Sequence, residues 1–303
     1  MTLPQHKSQV STVIQAFPAA YSGNVFIGAS DDAQAAQAIL YGMPMDWTAS
    51  FRPGSRFGPA RIREVSLGLE EYSPYLDRDL SNLRYFDAGD IPLPFGNPAR
   101  SVEAIYQFVQ QVYAAGKFPL GLGGEHLATF GAIRAAYEAY PDLRVVHIDA
   151  HADLRESYEG ETQSHATVMR KVCETLGPQR LYQFGIRSGT REEFAYARAH
   201  THFFPFEVVA PLTQVLPELR GVPVYVTWDI DVLDPAYVPG TGTAEHGGIT
   251  PQEAFATLGL LRDLEVVGFD LMEVAPPLDP AELAQILGAK LVREALLACL
   301  APL

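Results

Sequence analysis

Short apolar segments alternate with amphipathic segments along most of this chain. Segments rich in valine, isoleucine, leucine and tyrosine that end at glycine, proline or acidic residues predict buried strands. Segments in which apolar residues recur every three or four positions predict helices that cover a sheet. The clearest helical repeat lies between Ser101 and Ala115, at Val102, Ile105, Phe108, Val109 and Val112. The pattern therefore predicts a regular succession of strands and helices.

The predicted elements follow one another in an order that is typical of α/β proteins. Strands are predicted at 38–44, 118–122, 143–148, 181–185, 222–230 and 264–272. Helices are predicted at 60–69, 101–115, 128–140, 166–176, 191–198, 251–261 and 280–300. Such alternation predicts a three-layer α/β/α fold with a mostly parallel central sheet. In this architecture ligands bind beyond the carboxyl ends of the strands.

We expect one domain over residues 1–303, because no linker, repeat or low-complexity block divides the chain. Residues 1 to about 32 are predicted to form a loosely structured extension, with Pro18 and Gly23 as breakers. Residues 33–40 fit one short helix, but the apolar run that ends at Pro44 fits a first core strand better.

Composition narrows the range of partners. The sequence has 303 residues, a formal net charge of −14 and 48% hydrophobic residues. The negative charge argues against nucleic acid and anionic membrane as partners and mildly favours a cationic ligand. Neither a leader segment nor an apolar run of about 18 residues is recognisable. Because Cys173 and Cys299 match no metal-binding or redox spacing, we expect a cytoplasmic protein.

Three metal-capable side chains stand at alternate positions after the predicted strand 143–148. They are Asp149, His151 and Asp153, and alternate residues of an extended chain point to one side. Carboxylates so close together repel each other and resist desolvation unless a cation neutralises them. This pattern predicts a divalent metal ion. The alternative is an exposed strand end whose polar residues are solvated.

Two further strands end in residues of the same kind. Asp229 and Asp231 end the predicted strand 222–230, and His126 follows the strand 118–122 after a Gly-Gly turn. Six ligands at one edge of the sheet are too many for one four-coordinate ion. They suit two ions that share carboxylates. A set of carboxylates and imidazoles without thiolate favours Mn²⁺, although Zn, Co and Fe also accept imidazole.

In their order along the chain, these motifs resemble the ureohydrolases, the superfamily of arginases and agmatinases. The chain carries Gly-Gly-Glu-His at 123–126, Asp-Ala-His-Ala-Asp at 149–153, Ser-His at 164–165, Asp-Ile-Asp-Val-Leu-Asp-Pro at 229–235, Pro-Gly-Thr-Gly-Thr at 239–243 and Met-Glu-Val at 272–274. Arg-Pro-Gly-Ser-Arg-Phe-Gly-Pro at 52–59 is similar to a stretch of agmatinases. The resemblance extends from about residue 42 to the last predicted helix. It implies an arginase-like catalytic domain with two Mn²⁺ ions and, because relatives form trimers or hexamers, a homo-oligomer.

The resemblance also implies a role for each candidate residue. One ion would be held by His126, Asp149, Asp153 and Asp229, and the other by Asp149, His151, Asp229 and Asp231. Asp149 and Asp229 would bridge the pair. A hydroxide between the ions, oriented by Asp153, would attack the guanidinium carbon of the substrate. Glu273 would hold the guanidinium, and His165 would protonate the leaving amine.

Agmatine is the expected substrate, with urea and putrescine as products. Glu156, Glu159 and Glu161 precede His165 in the chain and would repel the α-carboxylate of arginine, which agmatine lacks. Arg155 would bind a carboxylate if it faced the metals, but we expect it to point away. The alternatives are an arginase or another guanidino-acid hydrolase such as a guanidinobutyrase. More remote alternatives are a zinc deacetylase with one metal ion and an inactive relative.

Two other histidines need a separate interpretation. His147 lies on the same face of its strand as Asp149, but the resemblance has no ligand there, so we expect a hydrogen-bonded core residue. His246 is the next candidate for the proton shuttle if His165 does not serve.

Overall fold

The computed structural model describes residues 24–303, and a parallel sheet of eight strands forms its centre. The strands of the chain are β1 (Ala38–Met43), β2 (Tyr72–Ser73), β3 (Arg78–Asp79), β4 (Tyr85–Asp90), β5 (Phe118–Gly123), β6 (Arg144–Ile148), β7 (Leu181–Phe184), β8 (His202–Phe204), β9 (Pro223–Asp229) and β10 (Glu265–Met272). In the sheet they stand in the order β4-β1-β5-β10-β9-β6-β7-β8, and each neighbouring pair is parallel. Strands β2 and β3 form a separate antiparallel pair.

Helices cover both faces of this sheet. They are α1 (Gly58–Ser66), α2 (Pro98–Ala114), α3 (Thr129–Ala139), α4 (Val168–Leu176), α5 (Arg191–His200), α6 (Val209–Leu219), α7 (Pro251–Leu260) and α8 (Leu283–Cys299). One layer contains α2, α3 and α4, and the other contains α1, α6, α7 and α8. The prediction of a three-layer α/β/α fold is therefore confirmed. Within residues 24–303, no helix is long and apolar enough to cross a membrane.

The central strands consist of residues that suit burial on both sides. In β9, the residues from Val224 to Trp228 have no exposed surface, as expected for a parallel strand between two helical layers. Consecutive strand residues enter different apolar cores, since Val145 packs with one helical layer and Val146 with the other. Two helices begin with reciprocal capping boxes, formed by Thr190 with Glu193 and by Thr250 with Glu253.

The structure adds elements that the hydrophobic pattern did not predict. The strand predicted at 38–44 is confirmed and spans Ala38–Met43, so residues 33–40 do not form a helix. Between residues 199 and 221, where no element was predicted, lie the edge strand β8 and the helix α6. Pro217 lies inside α6. Because proline normally interrupts a helix, the sequence pattern did not predict one here. The helix forms nevertheless because its apolar face, which includes Leu212 and Leu216, is buried in the core.

The predicted amino-terminal extension is only partly described by the structure. Residues 1–23, which include Pro18 and Gly23, lie outside the described residues. Residues 24–32 contain turns and a bridge from Ser30 to Phe86. Phe26 is fully buried, and its backbone N–H donates to Asp87 at 2.9 Å. The end of the extension is thus packed against β4.

A buried arginine of α1, Arg63, is bonded to residues of the strand β4. The Arg63 side chain is 0% exposed, and its Nε donates to both oxygens of Asp87, at 3.1 and 2.8 Å. Its Nη1 donates to Asp90 at 2.6 Å and its Nη2 to the carbonyl of Gly89 at 3.1 Å. Each charge in this cluster is compensated by a partner, so removal of the cation leaves two carboxylates unpaired in a low dielectric.

Replacement of this arginine should destabilise the protein strongly. We expect Arg63→Met to lower the free energy of unfolding by about 3–5 kcal/mol. The matched control is Arg220→Met, because the Arg220–Asp263 pair is 57% and 53% exposed, and it should change stability by no more than about 1 kcal/mol. Urea unfolding followed by circular dichroism measures both values. Equal stabilities of the two variants would contradict the importance of the buried cluster.

Candidate metal centre

The carboxyl ends of four adjacent strands, β5, β10, β9 and β6, meet at one cavity of about 250 Å³. Every side chain that the sequence singled out for catalysis or metal binding lines this cavity: His126, Asp149, His151, Asp153, His165, Asp229, Asp231 and Glu273. Parallel strands explain the convergence, because their carboxyl ends all lie at the same edge of the sheet.

The candidate ligands form two groups that share Asp149. In the first group, His126 Nδ1 lies 3.0 Å from Asp149 Oδ2, 3.0 Å from Asp229 Oδ2 and 3.9 Å from Asp153 Oδ2. In the second, His151 Nδ1 lies 2.9 Å from Asp231 Oδ2 and 3.6 Å from Asp149 Oδ1. Asp149 therefore presents one oxygen to each group, which is the arrangement that a shared carboxylate requires.

The electrostatics of these groups favour a bound cation. Burial, together with the charges of Asp231 and Asp149, raises the pKa of Asp229 well above its ordinary value. Burial and the charge of Asp149 do the same to the pKa of Asp153. Asp231 Oδ2 is buried and has no aligned hydrogen-bond partner within residues 24–303. Divalent cations would relieve this repulsion and occupy the free lone pairs, and the oxygen and imidazole donors suit Mn²⁺.

His147 lies behind the ligands. It is fully buried, and its Nε2 is 2.8 Å from Asp149 Oδ2. Its Nδ1 is 3.1 Å from the side-chain amide nitrogen of Gln183, which also donates to the carbonyl of Ala152. Because the amide nitrogen is the donor, Nδ1 accepts and Nε2–H donates to Asp149. These contacts are those of a hydrogen-bonded core histidine that orients Asp149.

Two of the candidate residues have an uncommon backbone conformation. Asp153 has φ 54° and Glu273 has φ 65°, a left-handed region that residues other than glycine rarely adopt. Glu273 is held there by two contacts with the β5 turn: its N–H donates to the carbonyl of Gly124, and its Oε1 accepts the N–H of His126 at 2.8 Å. Such backbone strain is tolerated where the surrounding structure determines the position of a functional side chain.

Burial also raises the pKa of the Glu273 carboxyl group to about 7.

His165 lines the cavity from the turn His165–Thr167, which follows the loop after β6. Its Nε2 lies 3.5 Å from Ser50 Oγ, and its ring makes an edge contact with Tyr158 at 5.6 Å. Burial lowers its pKa to about 4. The imidazole is therefore neutral near pH 7. His246, by contrast, is exposed and does not line the cavity.

The expected orientation of Arg155 is wrong. Instead of pointing away from the metals, Arg155 lines the cavity, with Nε 3.4 Å from Glu193 and its guanidinium 4.7 Å from the centre of the Tyr158 ring. Glu193 and Thr190 also line the cavity, and the sequence analysis missed both. Their Thr-x-x-Glu capping box after a parallel strand is a signal that could have placed them there.

Comparisons with known proteins agree with this geometry. A family model described as the arginase family matches residues 36–298. Agmatinase of Bacillus subtilis strain 168 is 57% identical over 284 residues, which cover 93% of this chain and 98% of that protein. The human mitochondrial guanidino acid hydrolase is 35% identical over 273 residues, with coverage of 86% and 78%. The solved agmatine ureohydrolase of Thermoplasma volcanium is 32% identical, with a TM-score of 0.82 and coverage of 92% and 95%. The matched region includes every residue of the cavity wall.

The shared position of Asp149 generates a prediction about metal content. We expect Asp149→Ala to lose both ions, whereas His151→Ala should lose only the ion of its own group, since His126 and Asp153 remain. Metal analysis after dialysis against limiting Mn²⁺ gives the number of ions per chain for each variant. Two fully retained ions in Asp149→Ala would show that this carboxylate does not bridge.

Proposed function

Since the chain belongs to the arginase family, we propose that it hydrolyses agmatine to putrescine and urea at a centre of two Mn²⁺ ions. Similarity to agmatinase over nearly the whole chain carries the choice of substrate. The geometry supports it, because the cavity is lined by Asp149, Asp153, Asp229, Asp231, Glu193 and Glu273. A cavity so rich in carboxylates favours a cationic guanidino compound.

The proposed ligands are the residues of the two groups in the cavity, with Asp229 of the first group added to the second as the resemblance implies. His126, Asp149, Asp153 and Asp229 would hold one ion, and Asp149, His151, Asp229 and Asp231 would hold the other. When bound, the ions supply a water of lowered pKa and therefore hydroxide near neutral pH. The preference for Mn²⁺ rests on the hard oxygen donors and the absence of thiolate from the group.

Glu273 and Asp153 are proposed to position the reactants. With Oε1 of Glu273 fixed by the His126 N–H, the carboxylate has a defined plane against which a planar guanidinium can form two parallel hydrogen bonds. The guanidinium charge in turn favours the ionised form of Glu273. Asp153 orients the nucleophile. Its left-handed backbone conformation holds its carboxylate beside His126, with Oδ2 3.9 Å from Nδ1.

His165 is proposed to move the proton. A histidine that is neutral at rest can accept at Nε2, the atom near Ser50, the proton that the attacking water gives up, and can pass it to the nitrogen of the leaving amine as the C–N bond breaks. This transfer allows putrescine to leave as an amine rather than as an amide anion. The depressed pKa of the ring, caused mainly by burial, makes the protonated form a strong acid.

A second candidate function is favoured by one observation. Arg155 lines the cavity and would pair with the carboxylate of a guanidino acid, a substrate class named for the human relative. The Arg155 guanidinium already pairs with Glu193 and lies over the Tyr158 ring. Because these contacts compete with a substrate carboxylate, we favour agmatine. The comparisons offer no support for a zinc deacetylase or an inactive relative.

The broader context is also part of the proposal. We propose that residues 1–303 form a single catalytic domain with an amino-terminal extension, that the protein is cytoplasmic and that it assembles as a homo-oligomer, a trimer or a hexamer. Size-exclusion chromatography with light scattering tests the last point.

Substrate preference is the first test of the proposed function. With identical Mn²⁺ loading, we expect kcat/KM for agmatine to exceed that for arginine and for 4-guanidinobutyrate by at least about 100-fold, measured as urea release. A preference for guanidinobutyrate that disappears in Arg155→Gln would establish the second candidate function instead. Absence of urea from every guanidino compound would refute both.

The role of His165 gives a second test. We expect His165→Ala to retain its metal ions and its KM for agmatine while kcat falls by about 10²–10⁴-fold. His246→Ala is the matched control, because His246 is exposed outside the cavity, and its kcat should not change. A near-normal kcat in His165→Ala would place the proton shuttle elsewhere.

A further inference from the structure

The segment that follows β1 is tied to the turn that carries His126. The N–H of Gly124 donates to the carbonyl of Met43 at 2.9 Å, and the N–H of Glu125 donates to the carbonyl of Met45 at 2.7 Å. A Cβ at Gly124 would lie 1.9 Å from the oxygen of Met45, so only glycine permits this approach. The contact brings Thr48 beside Glu125.

Glu125 is a buried carboxyl group that is not among the proposed ligands. It is 1% exposed, and burial raises its pKa to about 8. Its Oε2 accepts two hydrogen bonds from Thr48, from the backbone N at 2.8 Å and from Oγ1 at 2.7 Å. Its Oε1 has no partner within residues 24–303. A buried group with a free oxygen is costly and calls for an explanation.

Thr48 connects this carboxyl group to His165. A threonine hydroxyl has one proton and two lone pairs, and here the proton is directed to Glu125. The oxygen can then only accept, and it lies 3.1 Å from the backbone N and 3.4 Å from the ring Nδ1 of His165. Ser164 Oγ, 3.3 Å from the same Nδ1, already accepts the N–H of Ala166. Thr48 Oγ1 is therefore the hydroxyl oxygen near Nδ1 whose proton is already directed elsewhere, and it can only accept.

We propose that Glu125 and Thr48 are positioning residues that hold the His165 loop in place and fix the ring as its Nδ1–H tautomer. The lone pair of Nε2 then faces the cavity, where it can take up a proton. This inference rests on the proposed role of His165. It does not depend on the charge of Glu125, because Oε2 accepts the two bonds from Thr48 whether or not Oε1 carries a proton.

The first part of the test separates the hydroxyl group from the volume of Thr48. Thr48→Val keeps the shape and removes the hydroxyl, and we expect kcat to fall by about 10–100-fold, as for other outer hydrogen-bond partners. KM for agmatine and metal content should not change, since Thr48 does not line the metal cavity. Thr48→Ser, which keeps the hydroxyl, should recover most of kcat. Thr257→Val controls for the loss of a buried hydroxyl elsewhere, because Thr257 bonds only within α7.

Glu125 is tested in the same way. Glu125→Gln retains an oxygen that can accept both bonds from Thr48 and should keep kcat close to that of the unaltered protein. Glu125→Leu removes the acceptor and should lower kcat as Thr48→Val does. Equal losses in the two Glu125 variants would contradict a role as acceptor for Thr48.

A double-mutant cycle decides whether Thr48 acts through His165. If it does, adding Thr48→Val to His165→Ala should lower kcat no further, although each change alone lowers it. Full additivity of the two losses would overturn the positioning role and leave the proposed function intact. If instead His165→Ala alone keeps a normal kcat, both the shuttle assignment and this inference are wrong. A Thr48→Val variant with unchanged kcat would also overturn the inference.

Discussion

Mutual repulsion between buried carboxylates is the constraint on which the site depends. Asp149, Asp153, Asp229 and Asp231 converge at one edge of the sheet with almost no exposed surface. Among residues 24–303, Arg155 is the one arginine or lysine that lines the cavity, and it lies against Glu193. The neighbouring imidazoles include His126 and His151, whose Nδ1 atoms lie about 3 Å from aspartate oxygens. An arrangement of this kind is stable when mobile divalent cations compensate the charge, and the family to which the chain belongs fits that requirement.

A second pair of neighbouring acids, in the outermost strand β4, is neutralised in a different way. There, Asp87 and Asp90 are neutralised by the buried Arg63, which belongs to the polypeptide and cannot leave. The contrast is functional. A covalently attached cation stabilises the fold, whereas carboxylates without one create a site whose lone pairs remain available for metal ions. Two residues of the candidate metal site, Asp153 and Glu273, have left-handed backbone conformations, whereas Arg63, Asp87 and Asp90 do not.

Around the strands that carry the candidate ligands, segments distant in sequence complete the cavity. The turn at Gly124 and Glu125 holds the segment after β1, and that segment contacts His165. Tyr158 and Arg155 line the cavity beside them, with the Tyr158 ring against His165. The strand ends therefore supply the candidate metal ligands, and the loops supply the side chains proposed to act on substrate and proton, which is the usual division of roles in α/β enzymes.

Sequence by itself determined the α/β alternation and the candidate ligands, because strand periodicity is local: alternate residues share a face, and acids placed after an apolar run must lie at a strand end. It did not determine β8 and α6, where prolines conceal a helix that packing stabilises. Nor did it determine the orientation of Arg155, or the bond between Thr48 and Glu125, which are 77 positions apart. The orientation of a long side chain in a loop cannot be predicted from sequence periodicity. A contact between distant segments forms only when the folded sheet brings them together. Those features were decided by the tertiary structure.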